Sequence, residues 1–134
     1  MLEPNPVEVL LVEDNDADVL LVEEALEECP VPTHLTTVSD GEEALQLLMQ
    51  RTYKVDLIIL DLHLPKLNGL ELLERYQPRA APVILFSSNC SSPDAERALK
   101  LGASGCIIKP SDLKAFVDAI CAMLTRWAAP VPVA

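Results

Sequence analysis

Apolar positions along the chain fall into two kinds that take turns. Short apolar runs, Leu57-Ile58-Ile59-Leu60, Val83-Ile84-Leu85-Phe86, Cys106-Ile107-Ile108 and Val7-Glu8-Val9-Leu10-Leu11-Val12, the last interrupted at Glu8, read as strands buried on both faces. Residues 34–38 add a strand of alternating, β-branched character. Between these lie segments whose apolar residues recur at helical spacing. Val19, Leu20, Val22, Ala25 and Leu26 predict a helix over residues 16–28, stopped by Pro30 and Pro32. Ala44, Leu45, Leu47 and Leu48 predict a second over 42–49, and Leu70, Leu72, Leu73 and Tyr76 a short third that ends near Pro78. Ser92 as cap with Pro93 in the first turn opens a fourth, which Gly102 ends. Leu113, Phe116, Val117, Ile120, Met123, Leu124 and Trp127 recur at helical spacing and predict a last helix of about four turns, with Trp127 expected to dock on its own sheet.

Five strands alternating with helices through short loops require right-handed crossovers and a parallel sheet covered on both faces, a doubly wound α/β domain. The 134 residues hold one such core. Residues 1–6 are a lead-in, 7–127 the domain and 128–134 a tail. Pro130 and Pro132 keep the tail from extending the helix, leaving it frayed or laid extended on this chain or a second copy.

Charge narrows the partners. Ten Lys and Arg against twenty-one Asp and Glu give a formal charge of -11, with no basic footprint for direct nucleic-acid binding. The longest apolar runs fall well short of a membrane span, and no leader pattern opens the chain, so a cytoplasmic protein is expected. Cys29, Cys90, Cys106 and Cys121 lack Cys-x-x-Cys spacing and are expected to be small apolar residues or free thiols, neither cystines nor zinc ligands.

No glycine-rich phosphate loop follows the first strand. The strand ends carry Glu13 and Asp14, then Asp61, then Ser87, then Lys109. In an open parallel sheet the carboxyl ends face one crevice, so these residues are expected to meet there. Three carboxylates make a hard oxygen site suited to Mg²⁺. Asp61, alone at the middle strand end, is the candidate nucleophile, with Glu13 and Asp14 as a metal pair. Lys109 can pair with the acids and with a phosphoryl oxygen, and the Ser87 hydroxyl can donate to another. Singly, each residue has a plainer use: Asp61 as a turn or cap, Ser87 as the cap of the next helix, Lys109 as a solvated cation.

Taken together, Leu10-Leu11-Val12-Glu13-Asp14-Asn15, Asp40-Gly41-Glu42-Glu43-Ala44-Leu45, residues 56–65 with Asp61 and Leu64-Pro65, Asn68-Gly69, Gly102-Ala103 and Lys109-Pro110 resemble the receiver domain of bacterial two-component response regulators over residues 7–127. The resemblance implies a flavodoxin-like fold with strand order 2-1-3-4-5 and five helices. It implies that Asp61 takes a phosphoryl group from a histidine kinase or histidine phosphotransfer protein, and that Glu13, Asp14 and Asp61 hold Mg²⁺ with the backbone carbonyl of His63. Ser87 and Lys109 would bind phosphoryl oxygens, and the Lys109-Pro110 bond would be cis. Such a protein is a switch that turns over only its own acyl phosphate. Many receivers carry an aromatic residue where this chain has Cys106, so coupling through a ring is either absent or carried by other side chains. With no output domain after the last helix, the chain looks most similar to stand-alone regulators that accompany phytochrome-type kinases, some of them homodimers. Two rival readings are a phosphate-independent protein-binding module, favoured only by Cys106, and a Mg²⁺-dependent phosphohydrolase, for which neither a leaving-group acid nor a substrate cap is evident.

Overall fold

The computed structural model describes residues 6–76, 81–109 and 112–128. Most of the lead-in, nearly all of the tail and the Lys109-Pro110 bond expected to be cis therefore lie outside the described residues. The elements are β1 (Val7–Val12), α1 (Asp16–Glu28), β2 (Thr33–Val38), α2 (Gly41–Leu48), β3 (Leu57–Leu60), α3 (Gly69–Arg75), β4 (Val83–Ser87), α4 (Pro93–Lys100), β5 (Gly105–Ile108) and α5 (Leu113–Met123). The strands pair in parallel in the order β2-β1-β3-β4-β5, so the doubly wound, flavodoxin-like fold is observed.

The unbroken apolar runs have a simple cause. Successive strand residues point to opposite faces, and each face here has its own core. Leu10, Val12, Ile58, Leu60, Val83 and Leu85 enter a cluster with residues of α2, α3 and α4. Val9, Leu11, Leu57, Ile59, Ile84 and Phe86 enter another with residues of α1 and α5. No polar alternation is possible along a strand that faces oil on both sides.

Each helix begins with a side chain that accepts a backbone hydrogen bond from its own first turn: Asn15 from Asp18, Asp40 from Glu43, Asn68 from Glu71, Ser92 from Ala95 and Asp112 from Lys114. Such caps are each worth about 1 kcal/mol. They fix where every strand-to-helix loop ends, and so hold the loops at the carboxyl edge of the sheet in place. The loop after β3 is held further by close packing. A Cβ at Gly41 would collide with the carbonyl of Leu67, and one at Gly69 would lie 2.7 Å from the Cα of Leu62. Within the same loop Lys66 takes a left-handed backbone conformation with φ 64°.

At its carboxyl end α5 passes into a π-helical turn, Leu124–Ala128. The Thr125 hydroxyl donates to the Cys121 carbonyl at 3.0 Å, competing with the backbone amides for that acceptor. No helix among the described residues is long and apolar enough to cross a membrane.

The expectation of free thiols is overturned. Cys29 is disulfide-bonded to Cys121 and Cys90 to Cys106. The fold brings together pairs 92 and 16 residues apart, a proximity that depends on tertiary packing and leaves no trace in local spacing. Cys29 caps α1 and Cys121 lies in α5, so the first bond staples the two helices that cover one face of the sheet. Closing so long a loop restricts the unfolded chain, and replacing both residues by alanine should lower unfolding stability by about 2–4 kcal/mol. A urea titration of the Cys29→Ala/Cys121→Ala variant against the unaltered oxidised protein measures this, and an unchanged midpoint would count against the staple.

Candidate functional site

The sheet register delivers the acids. Val12 pairs with Leu60, and just beyond that pair the Asp61 amide donates to the Val12 carbonyl at 3.0 Å. The Glu13 amide likewise donates to Val38 at 3.0 Å. On the other side Ser87 pairs with Ile108, and the Lys109 amide donates to the Ser87 carbonyl at 2.8 Å. Glu13, Asp61 and Lys109 thus sit one step past the last regular pair, where the ladder still fixes the backbone and the side chain is free to turn into the crevice, while Ser87 is itself the last paired residue of β4.

Glu13 and Asp61 are buried, at 1% and 6% exposure, whereas Asp14 is exposed. The Lys109 ammonium lies 2.9 Å from Glu13 Oε1, 3.3 Å from Asp61 Oδ2 and 2.8 Å from Asp18 Oδ2. It also stands 5.0 Å from the centre of the Phe86 ring, which stacks on Phe116. Burial alone would lower the Lys109 pKa, but Asp18, Glu13 and Asp61 together hold it above the ordinary lysine range. Glu13 moves the other way from a normal carboxyl. Burial, and next the Asp61 carboxylate beside it, push it up to about 7, against the pull of Lys109.

Hydrogen bonds fill part of the demand. Glu13 Oε2 accepts from the amides of Asp14 at 3.1 Å and Asn15 at 3.3 Å, and Asp61 Oδ1 accepts from the His63 amide at 3.1 Å. Glu13 Oε1 has charge pairing with Lys109 but no hydrogen-bond donor aligned on it, although it is buried. Oxygens of Glu13, Asp14 and Asp61 all lie within 4.8 Å of one another. Three carboxylates, those of Glu13, Asp18 and Asp61, share one ammonium here and Asp14 adds a fourth beside them, so the donor set and its charge suit a divalent metal.

The five side chains expected at the strand ends are therefore gathered at one edge, with one difference. The Ser87 hydroxyl turns into its own loop, donating to the Asn89 carbonyl and accepting from the Asn89 amide, both at 3.2 Å. It caps no helix; Ser92 does that for α4. Asp18 is a member of the site that sequence reasoning passed over. It sits one turn into α1, a position that faces the strand ends whenever Asn15 is the cap, and that placement was its one visible signal.

Comparison with known proteins agrees with this geometry. The model of the response regulator receiver domain matches residues 9–121. The response regulator ArlR of Staphylococcus aureus is 35% identical over 120 residues, covering 89% of this chain and 53% of that protein, so the chain spans about half the length of the curated relatives it matches. Among solved structures, the phosphorylated cyanobacterial phytochrome response regulator RcpA is 32% identical with a TM-score of 0.80, over 92% of this chain and 94% of that one. The receiver domain of the sensor histidine kinase PA1611 from Pseudomonas aeruginosa PAO1, with a magnesium ion coordinated in its active-site cleft, is 30% identical with a TM-score of 0.74, over 92% and 98%.

A cation must displace the proton that Glu13 holds below about 7. Divalent-metal affinity should therefore weaken as the pH falls through that value, with proton release on binding larger at about pH 6 than at about pH 8. Calorimetric titration in buffers of different ionisation enthalpy reads both quantities. In the metal-free protein the same upward shift from 4.5 favours folding at acid pH, and that contribution is lost as the pH rises through about 7.

Proposed function

The chain belongs to the response regulator receiver family, and on that premise we propose that Asp61 accepts a phosphoryl group from a phosphohistidine on a histidine kinase or histidine phosphotransfer protein. The observation that carries the reading is the buried Asp61 carboxylate lying 3.3 Å from the Lys109 ammonium, beside Glu13, whose Oε1 meets the same ammonium at 2.9 Å. The reaction breaks the P–N bond of the donor and forms a P–O bond to Asp61, and the leaving imidazole takes up a proton. Mg²⁺, held by Glu13, Asp14, Asp61 and the His63 carbonyl, would offset the repulsion between carboxylate and phosphoryl oxygens. Asp61 Oδ1 accepts from the His63 amide and Oδ2 from the Lys109 ammonium, so both oxygens of the attacking carboxylate are held in place. Lys109 then transfers part of its pairing from the acids to a phosphoryl oxygen. The Ser87 hydroxyl, once released from Asn89, donates to another.

Added charge at Asp61 redistributes these bonds, and the loops at the sheet edge follow. Leu99 on α4, Ile108 on β5 and Leu113 on α5 are exposed apolar side chains that offer a surface for protein contact, a second copy included. A cytoplasmic regulator working with a phytochrome-type kinase is the setting we favour, supported by the likeness to RcpA. Water hydrolyses the acyl phosphate in place, and no external substrate is turned over.

Intact mass after incubation with a small acyl phosphate tests the assignment. One phosphoryl group should be added in the presence of Mg²⁺, lost in mild base and absent when the metal is chelated. Asp61→Asn should abolish uptake with the fold retained, and uptake by that variant at an unchanged rate would sink the acceptor assignment.

A further inference from the structure

The second cystine lies where phosphoryl chemistry would have to move the chain. Cys90 follows Ser87 by three residues in the loop before α4, Cys106 is the β5 residue paired with Leu85 of β4, and the Cα atoms of Cys90 and Cys106 are 5.9 Å apart. The bond therefore closes a ring that contains the end of that loop and the whole of α4. Inside the loop Asn89 is the knot. Its carbonyl accepts from Ser87 Oγ at 3.2 Å and from the Ser92 amide at 3.3 Å, and its side-chain oxygen accepts from the Ser91 amide at 2.9 Å. Ser87 cannot give its proton to a new acceptor in the crevice without breaking its bond to Asn89, and Asn89 is the immediate neighbour of the tethered Cys90.

Helix α4 is otherwise held lightly. Its fully buried residues are Ala95 and Ala98, the smallest side chains that any helix could use for the purpose. Two buried methyl groups gain little from burial; the Arg97–Glu74 ion pair at 3.4 Å and the packing of Leu101 just after the helix add to them, and the covalent tether at the entrance adds a further constraint on its position. The two cystines also differ in access. Cys90 and Cys106 are both half-buried, whereas in the other cystine only Cys121 is half-buried and Cys29, at 8% exposure, sits in a core cluster between α1 and α5.

We propose that Cys90–Cys106 is a redox modification site whose reaction partner is a dithiol reductant, and that opening it frees the Ser87–Asn89 loop and α4 for the change that phosphorylation of Asp61 demands. One thiolate of the reductant attacks the cystine, breaking the S–S bond, forming a mixed disulfide and releasing one cysteine thiolate. The second thiol of the reductant displaces the other cysteine. The cystine gains two electrons and two protons, and the reductant leaves as its own disulfide. Disulfides of cytosolic proteins are characteristically transient and redox-sensing, which fits the location favoured above. The inference rests on the phosphoacceptor reading for its consequence and on the loop for its structural part, and the two separate in experiment.

Graded treatment of the full chain with dithiothreitol, followed by alkylation and peptide mass mapping, should open Cys90–Cys106 before Cys29–Cys121. Amide exchange on the half-reduced protein should then quicken over residues 88–100 and stay unchanged in β1 and β3. Phosphoryl uptake from a small acyl phosphate should rise by about fivefold or more on opening, the lower end of ordinary coupling between two sites. A Cys90→Ser/Cys106→Ser variant should show the faster rate with or without reductant, and Cys29→Ala/Cys121→Ala should keep the redox dependence. Equal uptake by the closed and open forms, or unaltered exchange over residues 88–100, overturns the gate while leaving Asp61 as acceptor. Absence of uptake in every form, the serine variant included, overturns the acceptor reading and the gate's consequence with it.

Discussion

One ammonium group keeps the carboxyl edge of this sheet together. Lys109 is the counter-charge to Glu13, Asp18 and Asp61, which come from β1's end, α1 and β3's end. Without it, like charges at such short range and in partial burial would drive protons onto the acids or push the elements apart. Its own placement is backbone-determined: the amide of Lys109 is hydrogen-bonded to Ser87, so the cation extends from the ladder of β4 and β5 toward β3. The aromatic stack of Phe86 on Phe116 lies beneath it. A parallel sheet thus converts its register into an electrostatic arrangement, and the arrangement is under-neutralised by design of its donor count. That residual negative charge is what makes a divalent cation welcome.

Two buried faces and five side-chain caps explain why so much of this could be read in advance. An apolar run with no alternation admits few interpretations when it is only four residues long and ends in Asp61 or leads to Lys109, because a buried strand must surface somewhere and its end is where polar groups become affordable. The caps were equally legible at Ser92-Pro93. At Asp40 and Asn68 the cap is harder to read, since a turn residue and a cap share the same short polar side chain, and the difference is set by what the next four residues do.

What escaped the sequence depended on distance across the fold. Cys29 and Cys121 meet because α1 and α5 pack on the same face, and Cys90 meets Cys106 because β5 lies beside β4; neither fact is local. Asp18 escaped because a carboxylate in the first turn of a helix is already accounted for by the helix's own field, which hid its second use as a partner of Lys109. The hydroxyl of Ser87 escaped in part: its position at the strand end was legible, its engagement with Asn89 was a matter of loop conformation.

The close approach of Gly41 to Leu67 joins two segments that the chain separates by an entire strand. The start of α2 and the loop that carries His63 are in hard steric contact there, so they behave as a single mechanical piece, and a displacement of either is felt by the other. A methyl group at residue 41 would act as a wedge. It would tilt the loop downstream of Asp61 while leaving every charge around Lys109 in place, which makes this one position a handle for separating the shape of the crevice from its electrostatics.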